Sequence, residues 1–167
     1  MSIFFTSDLH LDHAKVIEYC NRPFADVNEM NEALIANWNE RVGPEDVVYL
    51  LGDFALTSRA KLEEFRRRLT GKIHIVRGNH DRGPKALAEC GFNAISKEFE
   101  GFTHDTGGAY LYMRHFPNPD WSSPYTPAYH LHGHVHTQYK RRGNRINVGV
   151  DVWDFRPVTL EELLACS

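Results

Sequence analysis

Five short apolar runs in this sequence are each followed within about three residues by Asp, His or Asn, and this pattern constrains the fold more than any other feature. The five polar segments are Asp8-Leu9-His10, Gly52-Asp53, Gly78-Asn79-His80-Asp81, Arg114-His115 and Gly133-His134-Val135-His136. In open α/β sheets, ligands bind at the carboxyl ends of the strands. We therefore expect an α/β fold in which these side chains converge at one edge.

The chain changes character about halfway along. Its first half alternates strand and helix patterns, whereas its second half is richer in strand patterns. Helix starts are predicted at Asp26, at Pro84 and at the Thr159–Glu162 capping box, and a surface loop is predicted from Pro117 to Pro127. We find no repeat or linker, so residues 1–167 are expected to form a single domain.

Composition excludes several classes of protein. The net charge is −3 over 167 residues, so the chain as a whole is not marked as a polyanion binder. No apolar run approaches the roughly 18 residues of a membrane span, and Met1–Phe5 lacks the positive segment of a signal peptide. The three cysteines are scattered, which suits a reducing compartment. These features favour a cytoplasmic protein that does not bind membranes.

The polar segments have the ligand chemistry of a metal site. Residues two apart on an extended segment share a face, so Asp8 with His10, and His134 with His136, can serve one site. Taken singly, each histidine could be a hydrogen-bonded structural residue and each Gly-Asp a turn. The conjunction of five such segments in one chain favours metal binding over those separate structural uses.

The order of the segments resembles the calcineurin-like metallophosphoesterase superfamily, and the resemblance extends from Asp8 to His136. The stretches Phe5–His13, Cys20–Phe24 and Asn37–Asn39 look like a group of small bacterial and phage phosphoesterases. This resemblance implies an α/β (α+β) fold, the four-layer αββα sandwich of metallo-dependent phosphatases. It also implies two metal ions at the edge of the sandwich.

Position by position, the resemblance implies a role for each polar residue. The first metal would be held by Asp8, His10, Asp53 and His136, and the second by Asp53, Asn79, His115 and His134. His80 would contact the phosphate and protonate the leaving oxygen as general acid, and Asp81 would orient His80. All these ligands are O or N, which suits transition metals, with Mn as first choice and Fe, Ni or Zn as alternatives.

The implied chemistry is hydrolysis of phosphate esters by a hydroxide that bridges the two metals. Two cations about 3.5–4 Å apart neutralise phosphate charge and lower the pKa of the water between them. The Asp-Arg-Gly that follows this motif in protein phosphatases is missing after Gly52-Asp53. Together with His80, that absence favours phosphodiesters of nucleotide type. A phosphomonoesterase, a nuclease and a catalytically silent binding or scaffold module of the same fold are the alternatives.

Contacts to a substrate beyond the metals are assigned to three residues. His13, Arg22 and Arg82 follow the metal motifs and could reach a phosphate oxygen. The basic run from Lys140 to Arg145 could track a nucleic-acid backbone, but a solvated hairpin turn is the preferred interpretation. We therefore expect a small phosphoester or nucleotide as partner rather than a nucleic acid.

Overall fold

A computed structural model describes residues 1–103 and 108–166. The strands are β1 Ile3–Thr6, β2 Val47–Leu50, β3 Lys72–Val76, β4 Ala94–Ser96, β5 Glu98–Phe102, β6 Tyr110–Arg114, β7 Ala128–His132, β8 Arg141–Arg142, β9 Arg145–Asn147 and β10 Val158–Thr159. The helices are α1 Lys15–Tyr19, α2 Val27–Arg41, α3 Arg59–Arg68, α4 Pro84–Glu89 and α5 Leu160–Ala165, with a 3-10 turn at Val150–Val152.

The strands form two five-stranded sheets. The first sheet has the order β10-β1-β2-β3-β4, in which β1 to β4 are parallel and β10 joins antiparallel at the edge. The second sheet has the order β5-β6-β7-β9-β8, with β6, β7 and β9 parallel. The carboxyl ends of the parallel strands within each sheet therefore lie along one edge.

Two apolar cores hold these layers together. One lies between the first sheet and its helices, where strand residues such as Ile73 and Ile75 pack with Leu34 and Trp38 of α2. The other lies between the two sheets and joins Phe5 and Val76 to residues of the second sheet. The α/β sandwich predicted for this chain is thus confirmed.

Local sequence signals correctly predicted where α2, α4 and α5 begin. Asp26 caps α2 by accepting hydrogen bonds from the backbone N–H groups of Asn28 and Glu29, and Thr159 with Glu162 forms a capping box at α5. The helix predicted from Pro84 is α4, which ends at Glu89. The basic run from residue 140 to 145 contains a hairpin of β8 and β9, as the preferred interpretation expected.

The outer face of the second sheet is covered in part by the loop between β6 and β7. Trp121 of this loop stacks on Tyr112 and also contacts His130. A loop thus occupies this part of the layer that the resemblance assigns to helices. His130 and His132 belong to this face, away from the convergent metal-type ligands, because they alternate with Leu131, which packs in the core between the sheets. No helix in the described ranges is long and apolar enough to cross a membrane.

Candidate metal centre

Loops after five strands meet at the edge where the two sheets come together, and backbone hydrogen bonds fix them to one another. The N–H of Asp8 donates to the carbonyl of Gly52 at 3.0 Å, and that of His10 to Asp53 at 2.9 Å. In the second sheet the N–H of Gly133 donates to the carbonyl of His115 at 3.0 Å. These backbone hydrogen bonds therefore fix the loops relative to one another within each sheet.

Five of the predicted metal ligands have left-handed backbone conformations, which non-glycine residues rarely adopt. Their φ angles are 59° at Asp8, 52° at His10, 55° at Asp53, 70° at His134 and 46° at His136. Such conformations cost roughly 1–3 kcal/mol each and cluster at functional sites. Backbone strain is thus found at the positions where the sequence predicted metal ligands.

Asp8, His10 and His136 form the first cluster of metal-type ligands. One ligand atom of each lies within 4.8 Å of the corresponding atoms of the other two. Asp8 and His10 are buried, whereas His136 is half-buried. The carboxylate of Asp8 also accepts a hydrogen bond from the backbone N–H of His134, at 3.0 Å, and so ties the two sheets together.

Asp53, His115 and His134 form the second cluster, again with ligand atoms within 4.8 Å of one another. Asn79 joins it, because its Oδ1 lies 3.0 Å from Nε2 of His115. His134 is exposed and closes the cluster on the solvent side, while Asp53 and His115 are buried. The residues predicted for the second metal are therefore close together.

Asp53 lies between the two clusters. Its Oδ2 is 3.4 Å from Nε2 of His10 in the first cluster and 3.4 Å from Nε2 of His115 in the second. Burial raises the pKa of this carboxyl, but the hydrogen bond and charge of His115 outweigh burial and bring the pKa to about 2. Asp53 is therefore ionised, with one oxygen facing both histidines.

Two of the histidines are oriented through their second nitrogen. Nδ1 of His136 lies 2.8 Å from Oδ2 of Asp151, and Nδ1 of His115 lies 2.8 Å from the carbonyl of Leu51. Such partners fix the ring and leave Nε2 for a metal. Asp151 thus positions a candidate ligand. Its pairing with His136 is set by the fold and left no local sequence signal.

The structure corrects the predicted role of Arg22. Its guanidinium is buried and donates to both carboxylate oxygens of Asp151, at 2.8 and 3.0 Å. It also donates to the carbonyls of Asp8 and Leu9, at 2.7 and 2.9 Å. These contacts occupy the guanidinium inside the protein, so the predicted phosphate contact of Arg22 is wrong.

Asp81 also has a different role from the one predicted. Its carboxylate accepts hydrogen bonds from the backbone N–H groups of Asp53, Phe54 and Gly78, each at 2.8 Å. It is not hydrogen-bonded to the side chain of His80, because its oxygens face this backbone. Asp81 therefore joins the loop that carries Asp53 to the loop that carries His80, and its contacts fix the backbone on either side of the site rather than the His80 ring.

His80 and His13 lie beside the first cluster. The ring centroid of His80 is 5.1 Å from that of His10 and 5.6 Å from that of His13. His80 is exposed, and its backbone N–H donates to Oδ1 of Asp53 at 2.9 Å. An exposed imidazole fixed to the central carboxylate by its backbone is suited to meet a ligand from solvent.

The other cationic side chains considered for substrate or nucleic-acid contacts form hydrogen bonds or ring contacts within the protein. Nε and Nη2 of Arg82 donate to the carbonyl of Thr57, at 3.2 and 2.7 Å, although the residue is exposed. In the basic run, Arg141 and Arg145 donate to backbone carbonyls, and Lys140 lies 3.6 Å from the centroid of the Trp153 ring. These cations stabilise the hairpin, which does not favour nucleic-acid binding there.

The donor set fits metal ions. Asp8 and Asp53 are 0% and 1% exposed, yet neither forms an ion pair with an Arg or Lys side chain in the described part of the chain. Nε2 of His10 is buried without a hydrogen-bond partner. Buried carboxylates and an unsatisfied imidazole nitrogen are costly unless paired or coordinated to a metal. Cations between these groups would satisfy both.

Comparison with known proteins agrees with this geometry. Residues 1–152 match the calcineurin-like phosphoesterase superfamily domain. The chain is 39% identical to "Uncharacterized protein MJ1445" of Methanocaldococcus jannaschii, with 95% of this chain and 87% of that protein covered. It is 31% identical to the gene 66 protein of Mycobacterium phage D29, with 91% and 89% covered. The crystal structure of AQ665 from Aquifex aeolicus, a protein of unknown function, superimposes with a TM-score of 0.71 at 26% identity, covering 96% of both chains.

Proposed function

This chain belongs to the calcineurin-like phosphoesterase superfamily, whose members hydrolyse phosphoesters with the help of metal ions, and from that premise we propose that it is a dinuclear phosphodiesterase acting on nucleotide-type substrates. The observation that carries the proposal is the position of Asp53. Its Oδ2 lies 3.4 Å from Nε2 of both His10 and His115, one in each ligand cluster. A carboxylate shared in this way is the arrangement that two neighbouring cations need.

In this proposal, Asp8, His10, Asp53 and His136 hold one cation, and Asp53, Asn79, His115 and His134 hold the other. When bound, the two cations would neutralise phosphate oxygens and lower the pKa of a water so that it attacks phosphorus at neutral pH. The donor set of oxygen and nitrogen suits Mn²⁺, with Fe, Ni²⁺ and Zn²⁺ as alternatives.

His80 supplies the proton for the leaving oxygen. The backbone N–H of His80 is fixed to Asp53, while its ring faces solvent beside His10. A leaving alkoxide is a poor leaving group, and a positioned acid typically contributes about 10²–10⁴-fold to the rate. His13, 5.6 Å from His80 between ring centroids, lies on the same side and contacts the phosphate or the leaving group.

The preference for diesters rests on two features. His80 is present to protonate an alkoxide, and the loop after Asp53 lacks the arginine motif of protein phosphatases. The test compares turnover of bis-p-nitrophenyl phosphate with that of p-nitrophenyl phosphate in Mn²⁺. We expect faster turnover of the diester, and a clear excess on the monoester would reverse the assignment.

Two variants separate the roles of the site residues. Asp53→Asn should reduce both metal content and turnover, by more than the roughly 10–100-fold typical of residues that merely support a ligand. His80→Ala should reduce turnover while the protein retains its metals. Metal content is measured on the purified variants by elemental analysis. Loss of metal in His80→Ala would make His80 a ligand, which its proximity to His10 and Asp53 also allows.

A further inference from the structure

A cationic pocket lies directly beside the proposed metal centre. Arg77, Lys97 and Arg114 line a cavity of about 210 Å³, and Gly78, His115 and Phe116 complete its wall. None of these three cations belongs to the ligand clusters described above. We refer to the cavity as the Lys97 pocket.

The fold brings the three cations together at the junction of the two sheets. Lys97 is the single residue between β4 of the first sheet and β5 of the second. On one side, the N–H of Arg77 donates to the carbonyl of Ser96 at 2.9 Å. On the other side, Arg114 is the register partner of Glu98. Each arginine thus flanks Lys97 through backbone pairing.

The positive charge of the Lys97 pocket is poorly compensated. Lys97 is exposed and forms no ion pair within the described ranges, and Arg77 uses its Nε for the carbonyl of Arg82 at 3.2 Å. Glu98 lies 3.7 Å from Nε of Arg114 and accepts a hydrogen bond from Tyr112. Three cations therefore face one carboxylate that is already shared, and the remaining N–H groups can bind an anion.

One side chain borders both the Lys97 pocket and the metal centre. His115 lines the pocket, and its Nε2 lies 3.4 Å from Oδ2 of Asp53 and 3.0 Å from Oδ1 of Asn79. Gly78, also in the pocket wall, immediately precedes Asn79 and His80. If a phosphoester binds at the metal centre, the group attached next to its phosphate would therefore lie at the Lys97 pocket.

We propose that the Lys97 pocket binds a second phosphate group of the substrate, next to the phosphate that is hydrolysed. The inference rests on the proposed function and narrows its substrate class to nucleotides that carry at least two phosphates. The second phosphate can come from an anhydride, as in a nucleoside diphosphate, or from the next nucleotide of a short oligonucleotide. Phe116, 43% exposed beside His115, offers a surface for the attached base.

The test measures the binding of small nucleotide probes by titration calorimetry on the Mn²⁺-loaded protein. One pair compares α,β-methylene-ADP with AMP, and the other compares phosphorothioate-linked dithymidine with and without a 5′-phosphate. In each pair the ligands differ by one phosphate. If wild type binds the ligand with the additional phosphate more tightly in one of the pairs, that pair shows whether the second phosphate comes from an anhydride or from a neighbouring nucleotide.

Lys97→Gln should reduce that preference about tenfold, which corresponds to about 1.4 kcal/mol, because the variant loses a charge-assisted hydrogen bond to the second phosphate. Lys72→Gln is the matched control. Lys72 is also an exposed lysine, but it begins β3, at the opposite end of the strand from the site. This variant should keep the preference of wild type.

The proposal is overturned if wild type shows no preference in either pair, or if Lys97→Gln retains the preference. Turnover of bis-p-nitrophenyl phosphate, measured in parallel, separates this result from failure of the proposed function. If the protein hydrolyses bis-p-nitrophenyl phosphate but shows no preference for the additional phosphate, only the assignment of the Lys97 pocket is wrong. If the protein does not hydrolyse bis-p-nitrophenyl phosphate but its preference for the additional phosphate depends on Lys97, the pocket assignment stands and the proposed catalytic function is wrong.

Discussion

At the scale of single residues, the most consequential contact is the buried chain from Arg22 through Asp151 to His136. Asp151 has both side-chain oxygens engaged by Arg22 and also holds Nδ1 of His136. Burial lowers the pKa of His136, but hydrogen bonds to Asp151 and Cys20, together with the negative charges of Asp8 and Asp151, outweigh burial and raise that pKa to about 10. Asp151 therefore connects Arg22, which is buried in the fold, to His136, which is a candidate metal ligand.

Replacing Arg22 with Met should lower the free energy of unfolding by about 3–5 kcal/mol, because it removes the guanidinium that engages both carboxylate oxygens of the buried Asp151. Urea unfolding measures the change. Arg59→Met is the control, since Arg59 pairs with Glu63 and Glu89 on the surface, where such a loss should change the free energy of unfolding by no more than about 1 kcal/mol. An Arg22→Met protein of normal stability with a raised KM would restore the discarded phosphate contact.

At the scale of elements, the site depends on loops that pack closer than ordinary side chains permit. A Cβ on Gly78 would lie 2.7 Å from the backbone nitrogen of Asp53 and would overlap its carboxylate. A Cβ on Gly133 would lie 2.5 Å from Oδ2 of Asp8. Glycine at these two positions therefore allows the loops after β3 and β7 to approach the carboxylates of the first sheet.

Gly78→Ala should reduce turnover by about a hundredfold, because a displacement of about 1 Å at a reacting group can cost that much. Gly83→Ala is the matched control, since a Cβ at Gly83 meets no atom within 4 Å. Turnover of bis-p-nitrophenyl phosphate and metal content are measured for both variants. Equal turnover in the two variants would show that the loop tolerates the side chain.

Helix α2 offers an independent test of a local signal. Asp26→Ala removes the acceptor for two backbone N–H groups and should destabilise the protein by about 1 kcal/mol. Asp26→Asn retains an acceptor oxygen and should be nearly neutral. Denaturant midpoints of the two variants provide the comparison, and an equal loss in both would mean that charge rather than capping matters.

Local sequence signals account for the elements that carry a strong pattern. The caps of α2 and α5 and the apolar run of β2 were recognised because each is encoded within a few residues. Strands β4 and β5 were not predicted, because Glu98, Glu100 and Gly101 are poor strand formers and the strands are defined by pairing with β3 and β6.

At the scale of the whole molecule, two sheets from the two halves of the chain build one site. Sequence motifs predicted which residues meet, because strand ends of parallel sheets share an edge. They did not reveal the contacts between distant segments, such as Arg22 with Asp151, 129 positions apart. Nor did they reveal the Lys97 pocket, because its cations are adjacent only where the sheets join.

Because both sheets supply candidate ligands, metal binding at this site should stabilise the entire fold. At free Mn²⁺ of 100 times its dissociation constant, a single site contributes about 2.7 kcal/mol, which corresponds to about 5–10 °C in Tm for a protein of this size. Thermal unfolding with Mn²⁺ and with a chelator measures the difference. Asp53→Asn should reduce the shift, and an undiminished shift in that variant would place the metal elsewhere.

The left-handed backbone at five ligand positions has a consequence for protein engineering. Copying Asp8, His10, Asp53, His134 and His136 onto another scaffold with ordinary strand ends would aim the same side chains in different directions. A successful transplant would have to carry the loops together with their hydrogen-bonded partners. The portable unit of this chemistry is therefore a stretch of main chain and its neighbours, rather than a set of side chains.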